Sequence, residues 1–297
     1  MIRVALFLGT NLAILLVLGI SMSLLGIDGM LDKQGINLNL KSLLFFSSII
    51  GFTGSFISLF LSKWIAKRSM GVIVITNPKN ETEKWLLKTL VTISNKANIK
   101  TPDFGIFNSE QLNAFATGLS KNNSLVALSS GLINHMNRDE IEAVIAHEIS
   151  HISNGDMITM TLIQGMVNTF VIFFSRIIGH VVDRVVFRVQ RGHGPAYYIT
   201  SIIAQILLSV LANIIVMWFS RKREFSADES AARLVGSSKM ISALKTLSIK
   251  SQSQLPDQMA AFGISGKREK TFKSLFSSHP SIELRIEYLL RVYYKSG

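Results

Sequence analysis

The chain has 297 residues, 48% of them hydrophobic, and a formal charge of +12. So large an apolar share with a positive mean hydropathy exceeds what a soluble globule of this size carries and requires membrane-spanning segments. Cysteine is absent, which excludes disulfides, thiolate metal sites and cysteine nucleophiles and leaves His, Asp and Glu to hold any metal. The Lys and Arg residues are dispersed or flank apolar runs without interleaved aromatics, so the positive charge reads as membrane-flanking and nucleic acid is excluded as a partner.

Residues 4–26 carry no charge and are long enough to cross a hydrocarbon core of about 30 Å, as an anchor rather than a cleaved signal peptide. A second apolar run, 42–62, is followed by Lys63, Trp64, Lys67 and Arg68, an interfacial aromatic with a positive flank. Residues 1–68 are thus expected to form a two-span anchor with both ends in the cytosol. The stretch 69–156 mixes polar and apolar residues and reads as soluble. It opens with a short strand at 71–76 and a turn at Asn77-Pro78, then continues with a helix near 85–97 and strands at 104–107, 113–117 and 125–129. Asn137, with Glu140 three residues on, predicts a capped helix running through residue 151. Two further apolar runs, about 157–178 and 196–219, form a hairpin. Arg176, Arg184, Arg188 and Arg191 stand against Asp183 near its tip, contrary to the positive-inside rule for a full crossing. Either the hairpin spans with its orientation fixed by stronger flanks, or it is shallow; both return the chain to the side it left. Residues 220–297 then complete the soluble part, with a Ser-, Gln-, Gly- and Lys-rich connection at 250–278.

Chemistry is concentrated at His147-Glu148-Ile149-Ser150-His151, an HExxH pattern in the capped helix. Four residues make about one helical turn, so both imidazoles reach one zinc ion while Glu148 lies beside them as general base. Ile141, Ile145 and Ile149 mark a separate buried stripe. A third ligand is needed. His180 and His193 lie at the far end of the hairpin, about 40 Å along a helix from His151. Asn154 and Met157 stand where a metzincin requires Gly and His. Asp156, five residues on, is expected to point to another face and to serve a helix end or turn. Glu224, where the fourth apolar run stops, returns to the same membrane face as His151 and is the expected ligand, with His135 or Asp156 next in line. Asp228, one turn later, is suited to accept the free ring N–H of a metal-bound histidine. Ala227, Ala231 and Ala232 allow close approach to the HExxH helix.

The HEISH helix, the EFSAD segment 224–228, the NAFATG stretch 113–118 and the HPSIELRI stretch 279–286 occur in this order across nearly the whole chain. Together they resemble the heat-shock membrane proteases of the M48 metallopeptidase family. The resemblance implies a mainly α, multi-span membrane protein with a small α+β gluzincin-type metallopeptidase domain built on the HExxH helix. It also implies one zinc per chain on His147, His151 and Glu224, and a bacterial cytoplasmic membrane location with the active site facing the cytosol. Misfolded or damaged membrane proteins are the implied substrates, with the lipid bilayer and other quality-control proteases as partners.

Asn113, Ala114, Phe115 and Ala116 read either as an exposed strand edge that pairs with extended substrate or as an ordinary sheet strand. His279 reads either as a donor to the tetrahedral oxyanion or as a structural cap. Two rival functions are a zinc transporter and a site-2-type intramembrane protease. The polar run Arg138, Asp139, Glu140, Glu142 before His147 disfavours an intramembrane site, and a soluble segment of this length disfavours a transporter.

Overall fold

The computed structural model describes residues 40–190, 192–253 and 279–294; the first apolar run, 4–26, and the connection from 254 to 278 lie outside the described residues. The chain forms two compact units. One holds the described residues up to Leu59 with Thr159–Val216, the other Phe60–Ile158 with the described residues from Met217 onward.

Helices α1 (Leu40–Met70), α5 (Asp156–Val181) and α6 (Pro195–Val235) carry the apolar runs. With the turn that continues α5 to Val186, they supply three spans long and apolar enough to cross a bilayer. In the first unit α1 and α5 meet through small residues. A Cβ added at Gly51 would lie 2.6 Å from Thr169 Oγ1, and one added at Gly165 would lie 2.6 Å from the Phe52 ring. Such close backbone approach is how helices associate where lipid removes the hydrophobic driving force. Asn168 bonds Ser55 across the pair at 3.4 Å and accepts from Gln164 at 2.9 Å. Phe45, Ile206, Leu207 and Leu211 stay exposed on these helices, as lipid-facing side chains would. Near the hairpin tip, buried Asp183 accepts from the Gly194 N–H at 3.0 Å, and His180 and His193 face one another with ring centroids 6.1 Å apart.

The second unit is built on a four-stranded sheet in the order β1 (Ile73–Val74), β2 (Asp103–Phe107), β4 (Asn123–Ser129), β3 (Ala114–Ser120). β2 and β4 are parallel and the outer pairs antiparallel. β4 is buried from Ser124 to Ser129, as its apolar run requires for a central strand, and β3 is an edge. Helices α2 (Glu81–Lys96), α3 (Ser130–His135), α4 (Arg138–Asn154), α7 (Ser237–Ser253) and α8 (Ile282–Tyr294) surround it. Asn80 caps α2 by accepting from the Glu83 N–H, which starts that helix four residues before Trp85. The first residues of the expected connection, 250–253, continue α7.

α4 is the central element. Asn137 and Glu140 form a reciprocal capping box at its start. Glu140 also accepts from the hydroxyls of Ser242 and Thr246, fixing α4 to α7. Ile141, Ile145, Ile149 and Ile152 pack with Leu86, Leu90 and Ile93 of α2 and with Phe104, Val126 and Leu128 of the sheet. Gly155, at φ +74°, ends the helix in the left-handed conformation that L side chains resist. Removing the cap with Asn137→Ala should cost about 1 kcal/mol, read as a lower melting temperature of the detergent-solubilised protein; an unchanged melting curve would show that the capping box does not hold α4.

Candidate active site

Burial of α4 on nearly every side leaves its polar residues in need of partners, and α6 and α8 supply them. His147 Nε2 and His151 Nε2 lie 3.1 Å apart. The Glu224 carboxylate lies against both, Oε1 at 3.3 Å from His151 Nε2 and Oε2 at 3.5 Å from His147 Nε2. Glu224 and Asp228 follow the apolar part of α6 one turn apart, and Ala227, Ala231 and Ala232 of the same helix are buried. Asp228 Oδ1 is 2.9 Å from His147 Nδ1, and Asp156 Oδ2 is 2.6 Å from His151 Nδ1. An ionised carboxylate only accepts, so His151 Nδ1 donates to Asp156 and leaves its Nε2 lone pair toward Glu224, while Asp228 stands beside His147 Nδ1 at ion-pair distance.

This donor set fits a metal ion. Ligand atoms of His147, His151 and Glu224 all lie within 4.8 Å of one another. Three converging acceptors in a buried site repel unless a cation lies between them. In formal charges, Glu148, Asp156, Glu224 and Asp228 stand against Arg223 and Arg285, an excess of two negatives that a divalent ion offsets. Without the ion a proton takes its place. Burial opposes protonation of His147, but Asp228 and Glu224 outweigh it and push its pKa up to about 10. Burial likewise opposes protonation of His151, and Asp156 and Glu224 raise its pKa.

A cavity of about 420 Å³ opens beside these residues, lined by Gln111, Asn113, Ala114, Glu148, Met240 and His279 among others. Asn113 immediately precedes β3, its carbonyl accepting from the Ser129 N–H, and Phe115 and Ala116 lie in β3 opposite Ala127 and Val126. His279 Nδ1 is 2.6 Å from Glu224 Oε2. At the start of α8 the Ser281 hydroxyl lies 3.4 Å from the Leu284 N–H. His135 Nδ1 is 2.8 Å from the Gly131 carbonyl. Asp156 stands at a helix end, as expected, but the face expected for it needs correction. Left-handed Gly155 breaks the helix, so Asp156 opens α5 and turns back to His151, which continuous helical spacing does not allow. Arg285 was missed: its Nε and Nη2 donate to Asp228 at 2.7 and 2.6 Å. The signal was available, since Ile282, Arg285, Ile286 and Leu289 share one face of an amphipathic helix.

A sequence profile of peptidase family M48 matches residues 80–292, which spans α2, the HExxH helix, Glu224 and most of α8. The chain belongs to peptidase family M48. It is 58% identical to Protease HtpX of Thioalkalivibrio sulfidiphilus over 285 residues, 96% of this chain and 97% of that one. It is 56% identical to the Protease HtpX homolog of Nitrosomonas europaea over 288 residues, 97% and 98% of the two chains. The fold is similar to the crystal structure of S. mikatae Ste24p, with a TM-score of 0.60 at 20% identity, covering 83% of this chain and 57% of the length of that one. A membrane protease of the M48 family, with a cluster suited to a metal ion, therefore accounts for both the apolar helices and the site.

A metal ion held by His147 and His151 would compete with protons for them, so metal uptake by the stripped protein should release protons and weaken as pH falls. The sign for stability of the metal-free form is the reverse. A histidine whose folded pKa is raised from 6.5 to about 10 stabilises fully below pH 6.5 and loses that contribution as pH rises through 10. Melting temperatures of the stripped protein should therefore fall across this window, less steeply in His147→Gln; equal slopes would exclude His147 as the source.

Proposed function

We propose that the chain is a zinc endopeptidase of the bacterial cytoplasmic membrane that cuts misfolded or damaged membrane proteins at the cytosolic face. The observation that carries this reading is the convergence of His147 Nε2, His151 Nε2 and the Glu224 carboxylate beside a cavity that Glu148 also lines. Two imidazoles and one carboxylate are the donor set of catalytic zinc sites that keep a position open for water. When bound, the ion supplies Lewis acidity, which acidifies water and polarises the scissile carbonyl.

The chain's own residues supply the rest. Glu148 takes the proton of the attacking water and delivers it to the leaving amine nitrogen, so no covalent intermediate is needed. Asp228 and Asp156 hold the imidazoles in the tautomer that leaves Nε2 to the ion. The segment Asn113–Ala116 leads the edge strand β3 along the cavity, and an extended substrate adds to that edge by backbone pairing. His279, on the same cavity and 60% exposed, is the candidate donor to the tetrahedral oxyanion. A cytosolic orientation is supported by the basic flank of α1, whose Lys63 and Lys67 pair with Asp103 of β2 at 2.9 and 3.5 Å. α4 lies outside the apolar helices, which argues against a site-2-type intramembrane site, and membership of a peptidase family argues against a transporter.

Glu148→Gln should keep its zinc and lose turnover by orders of magnitude, measured by metal analysis beside casein cleavage; undiminished cleavage would sink the mechanism. Glu224→Ala should hold zinc weakly and be nearly inactive even at high zinc, whereas Asp228→Ala should lose about 10- to 100-fold and be partly rescued by added zinc. Orientation is tested with single cysteines in intact spheroplasts. An impermeant thiol reagent should label a cysteine at Gln34 and spare one at Lys121, and the opposite pattern would reverse the topology.

A further inference from the structure

Arg285 is buried on α8 and binds Asp228 with both Nε and Nη2, at 2.7 and 2.6 Å. The same Asp228 oxygen that accepts from Nη2 also lies 2.9 Å from His147 Nδ1. A two-point guanidinium clamp fixes the plane of a carboxylate, whereas a single hydrogen bond leaves it free to rotate. With the plane fixed, the Asp228 lone pair that faces His147 sets the swing of the imidazole and hence the position of Nε2. The third guanidinium nitrogen, Nη1, lies 3.6 Å from Glu224 Oε2, so the clamp also borders the carboxylate of the metal cluster.

Anchoring of α8 does not account for this pair. Tyr288 stacks edge-on against Phe225 at 5.2 Å and donates to Glu229 at 2.8 Å. Tyr293 bonds the Glu229 carbonyl at 3.2 Å, and Tyr294 pairs with Ser237 at the same distance. A buried ion pair adds little stability over apolar residues of the same shape, because desolvation offsets its attraction. What it supplies here is direction.

We propose that Arg285 is a positioning residue of the metal centre, acting on His147 through Asp228 so that docking of α8 completes the ligand geometry. The proposal rests on the reading of His147 as a metal ligand. The full chain in detergent is stripped of metal and titrated with Zn²⁺ against a chromophoric chelator, and the Co²⁺ form is examined by visible absorption. Turnover and KM are followed on one peptide. Wild-type uptake of one ion tests the underlying reading on its own, and a wild type that takes up none overturns both.

Arg285→Met should weaken zinc binding by about 10- to 100-fold, alter the Co²⁺ spectrum and lower kcat more than it changes KM. Arg285→Lys, which keeps the charge without the two-point grip, should recover part of the affinity. Tyr288→Phe, which loosens α8 without touching Asp228, should lower the melting temperature and leave zinc affinity and the Co²⁺ spectrum as in wild type. Wild-type affinity and spectrum in Arg285→Met with a raised KM would make Arg285 a substrate contact instead. Reproduction of the full metal defect by Tyr288→Phe would reduce its role to helix docking.

Discussion

Two imidazole nitrogens and a carboxylate, each with a lone pair to offer, meet in a buried space that a proton or a cation must neutralise. This electrostatic demand for a cation organises much of what surrounds it. An imidazole that presents Nε2 inward needs an acceptor beside its Nδ1, and Asp228 and Asp156 stand there from two different helices. Those aspartates are themselves removed from water, and Arg285 and Arg223 stand against them, the first as a tight clamp and the second 3.7 Å from Asp156. Around the place a cation would take, charge alternates outward: the His147, His151 and Glu224 cluster, then the aspartates, then the guanidiniums. Every shell compensates the desolvation of the one inside it.

The scaffold follows from the same requirement. On the proposed reading, a helix that carries two metal ligands and a general base cannot wander by an ångström without loss of function. α4 is fixed at its start by the capping box and the Glu140 bonds to α7, along one stripe by the isoleucines, and at its end by Gly155. Small residues at 227, 231 and 232 bring α6 into this core, so Glu224 reaches the histidines with its backbone held close.

Much of this was legible in the sequence because it depends on spacing. The i, i+4 histidines, the Asn137–Glu140 cap, the isoleucine stripe, and Glu224 and Asp228 one turn apart are helical periodicities, and a hairpin that must return its ends to one side made Glu224 the natural partner. The helix-end place of Asp156 was legible too, but not its direction, because the left-handed Gly155 before it turns the carboxylate back to His151. Arg285 was overlooked because its role depends on a tertiary contact between residues 57 apart, which no local pattern encodes. An arginine at a position that helical spacing reserves for the core was the visible anomaly, and anomalies of that kind mark where a buried charge has a partner.

Burial across the site is graded, and the gradient has chemical meaning. Asp228 and Glu224 are shut off from solvent, His151 is slightly open, and His279 stands mostly exposed on the same cavity. Groups that set geometry sit where the dielectric is low and their interactions are strongest, while groups that must meet a substrate sit where it can reach them. The edge strand β3 follows the same logic. Its inner side is satisfied by β4, and its start borders the cavity, where under the proposed function an extended backbone would find the pairing partner that a closed sheet would deny it. For the proposed protease of unfolded segments, this arrangement would supply a strand edge that pairs with any sequence, set beside a base and a ligand cluster held rigid from behind.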